Sequence, residues 1–153
     1  MTEDAKRNVA YGVVGTASAK FQGAEEAELP LATAADRLKS AIRTRGLWVL
    51  HEIDPQALLA HGGYDIGQAR QILFFHPRYV ARILAADPSA LLEAPLKIAL
   101  LEMPGGQLGV RWFDPAGAFA RYHNQDLDAV GAELAGLCEA IIAEALDPAA
   151  APS

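Results

Sequence analysis

Apolar residues occur along the chain in short runs with the period of strands. Alternating or continuously apolar runs of six to eight residues are typical of half-buried or buried strands. Strands are predicted at 9–14, 47–53, 70–75, 96–103 and 108–113. The segment 17–32 has no clear period and predicts a loop or arm. Alternation in the second strand places one set of side chains together, namely Leu47, Val49, His51 and Ile53.

Helical spacing, with recognisable start and stop residues, fills most of the intervals between these runs. Helices are predicted within 33–46, 54–63, 77–87, 114–122 and 126–146. Thr33 is the expected N-cap of the first helix and Gly46 its terminator, whereas Asp54 caps the second helix. The last helix is the longest. Its apolar stripe predicts that it packs on the sheet.

The order of these elements predicts an α+β fold. Residues 96–113 form the clearest hairpin, with the turn "PGGQ" between two apolar strands. A hairpin and short connections favour a mixed, mostly antiparallel sheet of about five strands, with helices packed on one face. No composition shift marks a second domain. We expect one domain over 9–146, with flexible tails at 1–8 and 147–153.

Composition limits the classes of partner and the location. The chain has 153 residues and a net charge of −6, with its 13 basic residues scattered, so a nucleic-acid platform is not expected. No apolar run approaches the roughly 20 residues of a membrane span. The N-terminus has no apolar leader region, and Cys138, the single cysteine, cannot form an internal disulfide. A soluble cytoplasmic protein is therefore predicted.

Four stretches together resemble a known prokaryotic family, the one catalogued as domain of unknown function 302. They are "GLWVLHEID" (46–54), "ILFFHP" (72–77), "ADPSALLEAPLKIALLE" (86–102) and "VRWFDP" (110–115). The resemblance implies a small α+β fold and a homodimer, and it supplies no established reaction. Members of that family commonly carry Asn where this chain has His76, so no family role for that position is transferred.

His76 is the foremost candidate for chemistry, because it lies between the apolar run "ILFF" and a helix that Pro77 begins. A helix N-terminus disfavours imidazolium, so a neutral, ligating or hydrogen-bonding ring is expected there. One interpretation is a haem site in which His76 is the axial metal ligand. Its further cofactor-binding residues would be Phe74, Phe75, Arg78 and Tyr79. The alternative interpretation is that His76 only caps the helix.

Arg111 is a further candidate, on the strand that also carries Trp112. If its face of the sheet is covered and concave, Arg111 could bind an anion such as a haem propionate. If that face is open, the guanidinium is merely solvated. No pair of histidines has the spacing of a zinc enzyme, and no phosphate-binding glycine motif is present.

Two functions from different classes remain open on the sequence alone. The first is a small cofactor- or ligand-binding protein, most concretely a haem-binding protein. The second is a non-catalytic, dimeric interaction module in which His76 is a structural cap. The sequence contains no recognisable acid–base pair or activated nucleophile, so an enzymatic activity is left undecided.

Overall fold

The computed structural model describes residues 5–15 and 21–149. Its strands are β1 Arg7–Asn8, β2 Gln22–Ala27, β3 Trp48–Ile53, β4 Tyr64–Asp65, β5 Ala69–Phe75, β6 Leu96–Glu102 and β7 Leu108–Phe113. Its helices are α1 Leu31–Thr44, α2 Pro55–His61, α3 Pro77–Ala86, α4 Pro115–Ala120 and α5 Gln125–Leu146, with a 3₁₀ helix at Pro88–Glu93.

The main sheet has five strands in the order β2-β7-β6-β5-β3, and every pairing in it is antiparallel. Helices pack against it, so the predicted α+β class and strand number are confirmed. A separate parallel pair joins β1 to β4. Strands β2 and β3 are the two edges of the main sheet, and β5 lies next to the β3 edge.

The first strand, predicted at residues 9–14, is wrong in its position. Residues 9–14 contain no strand, and Val13 is fully exposed, so this apolar run finds no partner to bury it. The predicted loop at 17–32 instead contains β2, whose sequence is QGAEEA. A polar segment can form an edge strand because backbone hydrogen bonds to one neighbour suffice. Residues 1–4 and 16–20 lie outside the described part of the chain.

Helix α1 begins before its predicted cap. Leu31 is its first residue, and Pro30 precedes it without any side-chain capping bond. The Pro30 carbonyl accepts the first helical hydrogen bond, from the Ala34 N–H at 3.0 Å. Burial of Leu31 therefore outweighs the capping preference of Thr33. The other end follows the prediction, because Gly46 adopts a φ of +72°, which glycine tolerates best.

A β-bulge in β3 changes which of its side chains face the helices. The register shifts between Val49 and His51, leaving Leu50 as the extra residue. Strict alternation predicted Val49 and His51 on one face, and this is wrong after the bulge. Glu52 now faces α1, where Lys39 Nζ lies 2.8 Å from its carboxylate. His51 turns to the opposite face and is exposed.

The core lies between the sheet and helices α1 and α5. The inward side chains of β5, β6 and β7 are almost fully buried, including Ile72, Phe74 and Ile98. Gly131 in α5 allows α4 to approach closely, since an added Cβ would lie 3.0 Å from the Pro115 carbonyl oxygen. Cys138 lies in the same core, and burial raises the pKa of its thiol to about 12.

The inward face of α5 should dominate the stability of the domain. Leu134 is 0% exposed, whereas Leu137, one turn of the same helix away, is only partly buried. Leu134→Ala should reduce the free energy of unfolding by about 2–5 kcal/mol. Leu137→Ala is the control and should cost about 1 kcal/mol. Urea denaturation measures both, and equal losses would contradict this packing of α5.

Candidate functional site

The junction between β5 and α3 is held by a side-chain cap. His76 has the extended conformation of an N-cap residue, with φ −146° and ψ 141°, and Pro77 occupies the first turn. His76 Nδ1 accepts a hydrogen bond from the Arg78 backbone N–H at 3.1 Å. Proline pre-sets the helical φ and has no N–H to satisfy. The sequence "HPR" therefore begins α3 with one of its free backbone donors satisfied.

This capping bond determines the tautomer of His76. A backbone N–H can only donate, so Nδ1 must offer its lone pair and carry no proton. In the neutral ring, the proton then resides on Nε2. The described residues provide no hydrogen-bond partner for Nε2. His76 is half-buried. Its second ring nitrogen, Nε2, takes no part in the capping bond and carries a donor N–H rather than a lone pair.

An apolar groove of about 550 Å³ opens beside His76. Its walls come from β3, the end of β5, one side of α3, and the segment that joins the 3₁₀ helix to β6. The lining residues are Trp48, Leu50, Phe75, His76, Pro77, Val80, Ala81, Leu84, Leu91, Ala94 and Pro95. His76 is the one polar residue among them. The groove is therefore suited to an apolar ligand with a single polar contact at this point.

Trp48 forms the wall opposite α3 and is unusually exposed for its size. Its ring meets the His76 ring in a T-shaped arrangement, with centroids 5.3 Å apart. Even so, 55% of Trp48 is accessible, as is 51% of Leu50. Contiguous exposed apolar side chains are uncommon on monomeric proteins and mark contact surfaces. Both residues lie on the face of the sheet away from α1.

The structure separates the aromatic residues that the sequence placed in one pocket. Phe74 points into the core and is 0% exposed, whereas Phe75 points to the opposite face and lines the groove. Tyr79 lies on the buried side of α3, with its ring centroid 6.0 Å from that of Phe75. Arg78 is exposed and lies over the Tyr79 ring at 4.9 Å. Of the five residues of the predicted haem site near this junction, only His76 and Phe75 line the groove.

Arg111 lies on β7, three strands away from β3 in the sheet. Its guanidinium donates to the backbone carbonyl oxygens of Glu25 and Val110, at 3.2 and 3.0 Å. The side chain is 15% exposed and approaches the Glu26 carboxylate at 4.0 Å. The structure does not bring Arg111 to the groove, and its donors are used to hold the β2 edge strand.

The donor set does not favour a metal ion at His76. Residues 5–15 and 21–149 contain no group of three or more side chains that could hold a metal. A metal at Nε2 would need that nitrogen deprotonated, so the proton would move to Nδ1 and the cap would be lost. The groove walls suit a hydrophobic cofactor such as haem, but the axial ligation predicted for His76 does not fit this geometry.

Most of the groove lining was not identified from the sequence. Trp48 and Leu50 alternate on one face of β3, but this alternation does not show which elements pack beside them. The α3 residues share a helical face, since Val80 and Leu84 are four positions apart, and this spacing was a usable signal. Leu91 lies in the 3₁₀ helix and Pro95 in the segment that follows it, and no local pattern marks their position in the tertiary structure.

The geometry defines a class: a small α+β domain with an antiparallel sheet, helices packed against it, and an apolar groove at a strand–helix junction. The chain belongs to the family described as domain of unknown function DUF302, whose model matches residues 24–145. The resemblance noted in the sequence is thereby confirmed. A search among functionally curated proteins gives no match.

A solved structure supports the same fold. The chain is similar to an uncharacterized conserved DUF302 protein from Bacillus stearothermophilus, with a TM-score of 0.75 and 16% sequence identity. The likeness covers 82% of this chain and 98% of that chain. At this identity, it shows the fold alone. Within the described ranges, no helix has the length and hydropathy of a transmembrane segment.

Replacement of His76 should separate its capping role from its imidazole chemistry. His76→Ala removes the acceptor for the Arg78 N–H and should cost about 0.5–2 kcal/mol in the free energy of unfolding. His76→Asn retains an acceptor at a similar position and should recover most of this loss. Thermal or urea denaturation measures both variants. If Asn and Ala are equally destabilising, the cap does not account for this residue.

Proposed function

We propose that the protein binds a small, predominantly apolar ligand in the groove between β3 and α3. The observation that carries this proposal is the composition of the groove, in which His76 is the one polar lining residue. A volume of about 550 Å³ is within the range of pockets for small molecules. Exposure of Trp48 and Leu50 to water is unfavourable, and a bound apolar ligand would relieve it.

His76 supplies the polar contact in this proposal. Its Nε2–H would donate to an oxygen of the ligand, while Nδ1 keeps its bond to the Arg78 N–H. Haem is the most specific ligand suggested by the sequence, with His76 bound to its iron. Because that bond would need the other tautomer and would displace the cap, we propose a ligand that accepts a hydrogen bond.

A neutral alcohol with a ten-carbon chain, 1-decanol, is a suitable first probe. It should bind and change the fluorescence of Trp48, the tryptophan that lines the groove. Ala81→Glu places a carboxylate in the groove on a good helix former, and should weaken binding at least about tenfold. The control is Ala85→Glu, one turn further along α3 and outside the groove. Equal affinities of the two variants would exclude this site.

Haemin should be titrated against the same proteins. The capping geometry predicts that wild type and His76→Ala give the same visible spectrum with haemin. A wild-type Soret band that shifts or disappears in His76→Ala would show that His76 can ligate the iron, and would favour haem as the ligand.

A homodimer is the second proposal, and the exposed edge of β3 favours it. An edge strand offers unpaired backbone donors and acceptors, and edges with exposed apolar residues pair readily with another chain. A two-fold pairing of β3 strands would also shelter Trp48 and Leu50. This arrangement would serve an interaction module as well as a ligand-binding protein.

Leu50→Lys should prevent the dimer from forming, because lysine on an edge strand opposes pairing. Leu58→Lys is the matched control, since Leu58 is 63% exposed on α2, outside the groove. Sedimentation equilibrium at micromolar concentration should show a dimer for the wild type and for Leu58→Lys, and a monomer for Leu50→Lys. A monomeric wild type would refute the dimer.

A further inference from the structure

A second cavity adjoins the apolar groove on the side towards β6. It has a volume of about 460 Å³ and extends from β5, β6 and β7 to α4. Ala94 and Pro95 line both cavities, so the two share a wall. Unlike the groove, the second cavity is lined in part by charged side chains, which are Glu93, Lys97, Asp114 and Arg121.

The sheet register places Lys97 next to the groove. Lys97 lies opposite Leu73 of β5, on the same face of the sheet as Phe75. Pro95, which lines the groove, is two positions before Lys97 and therefore about 7 Å away along the strand. Because side chains two positions apart point to the same face, Lys97 lies on the face of the sheet that carries the groove, in the cavity next to it.

Two cations line this cavity, and Lys97 is the one without an ion-pair partner among the described residues. Arg121 forms an ion pair with Glu93, which also accepts a hydrogen bond from the Tyr122 hydroxyl at 3.2 Å. Asp114 accepts from two backbone N–H groups at the start of α4. Among the residues that the structure describes, Lys97 has no ion pair. The Lys97 ammonium is therefore free to bind an anionic group.

We propose that the groove ligand is an aliphatic carboxylate with its head group at Lys97 and its chain along the groove, where an oxygen on the chain accepts from His76 Nε2–H. This inference rests on the proposed ligand-binding function and specifies its ligand class. Charge complementarity favours an anionic head over a neutral or cationic one, and the wholly apolar wall beyond His76 favours an unbranched hydrocarbon chain. The Lys97 ammonium and the carboxylate would form a solvent-accessible ion pair beside the end of the groove, since Lys97 is exposed.

The test compares decanoate with 1-decanol, which differ in the head group alone. At pH 7.5 and low ionic strength, the dissociation constants of both are measured by calorimetry for wild type, Lys97→Gln and Lys97→Arg. We expect Lys97→Gln to weaken decanoate binding by about fivefold, the upper end for a solvent-accessible ion pair. Its affinity for 1-decanol should not change, and Lys97→Arg should behave as wild type.

Arg43→Gln is the control for net charge, since it removes one exposed positive charge on α1, against the other face of the sheet. It should leave both affinities unchanged. If wild type binds neither ligand, the proposed function itself fails. If both ligands bind but the ratio of their affinities is the same in wild type, Lys97→Gln and Arg43→Gln, the carboxylate site at Lys97 is refuted while the apolar groove stands.

Discussion

The burial of β5 on both of its faces is the constraint from which the other features follow. Ile72 and Phe74 point to the helices and are fully buried. Phe75 points to the opposite face, where it lines the groove and is nevertheless only 2% exposed, because α3 and the segment before β6 cover it. A strand with apolar residues on both faces needs two coverings. Here one covering is a complete core and the other is a groove.

The chain leaves β5 through His76 and Pro77, and this junction gives the groove its chemistry. A helix start leaves backbone N–H groups without partners, and the imidazole Nδ1 satisfies the one from Arg78. The same bond leaves the second ring nitrogen as a donor, on a side chain that lines the groove. One residue thus supports the local fold and determines the polarity of the site, and iron ligation would have to compete with the fold.

Much of the fold could be predicted from the sequence, because burial and periodicity agree over most of the chain. The β6–β7 hairpin, α3 and α5 each combine an apolar pattern with turn or cap residues. Strand β2 could not be predicted, since its six residues carry little apolar signal and are held by backbone pairing with β7. The run at 9–14 failed for the opposite reason, because it has apolar residues but no partner.

His76, at the centre of the site, could be predicted from the sequence, whereas most of the residues that line the groove around it could not. His76 was identified because an ionisable residue between an apolar strand and a proline-initiated helix is conspicuous. Trp48 and Leu50 share a face of β3 by alternation, but the groove that they line depends on how α3 and the 3₁₀ helix pack beside that face. Proximity in sequence was a poor guide for Phe74, since adjacent residues of a strand face opposite sides.

His76 caps α3 through Nδ1, so its neutral ring carries the proton on Nε2, beside the groove. Long-range ¹H–¹⁵N correlation spectra of the imidazole distinguish the two tautomers, because the two nitrogens give distinct shifts according to which one is protonated. The capping bond predicts that the neutral ring has a pyridine-type Nδ1 and a pyrrole-type Nε2. A ring protonated at Nδ1, with the lone pair on Nε2, would contradict the cap and restore His76 as a metal ligand.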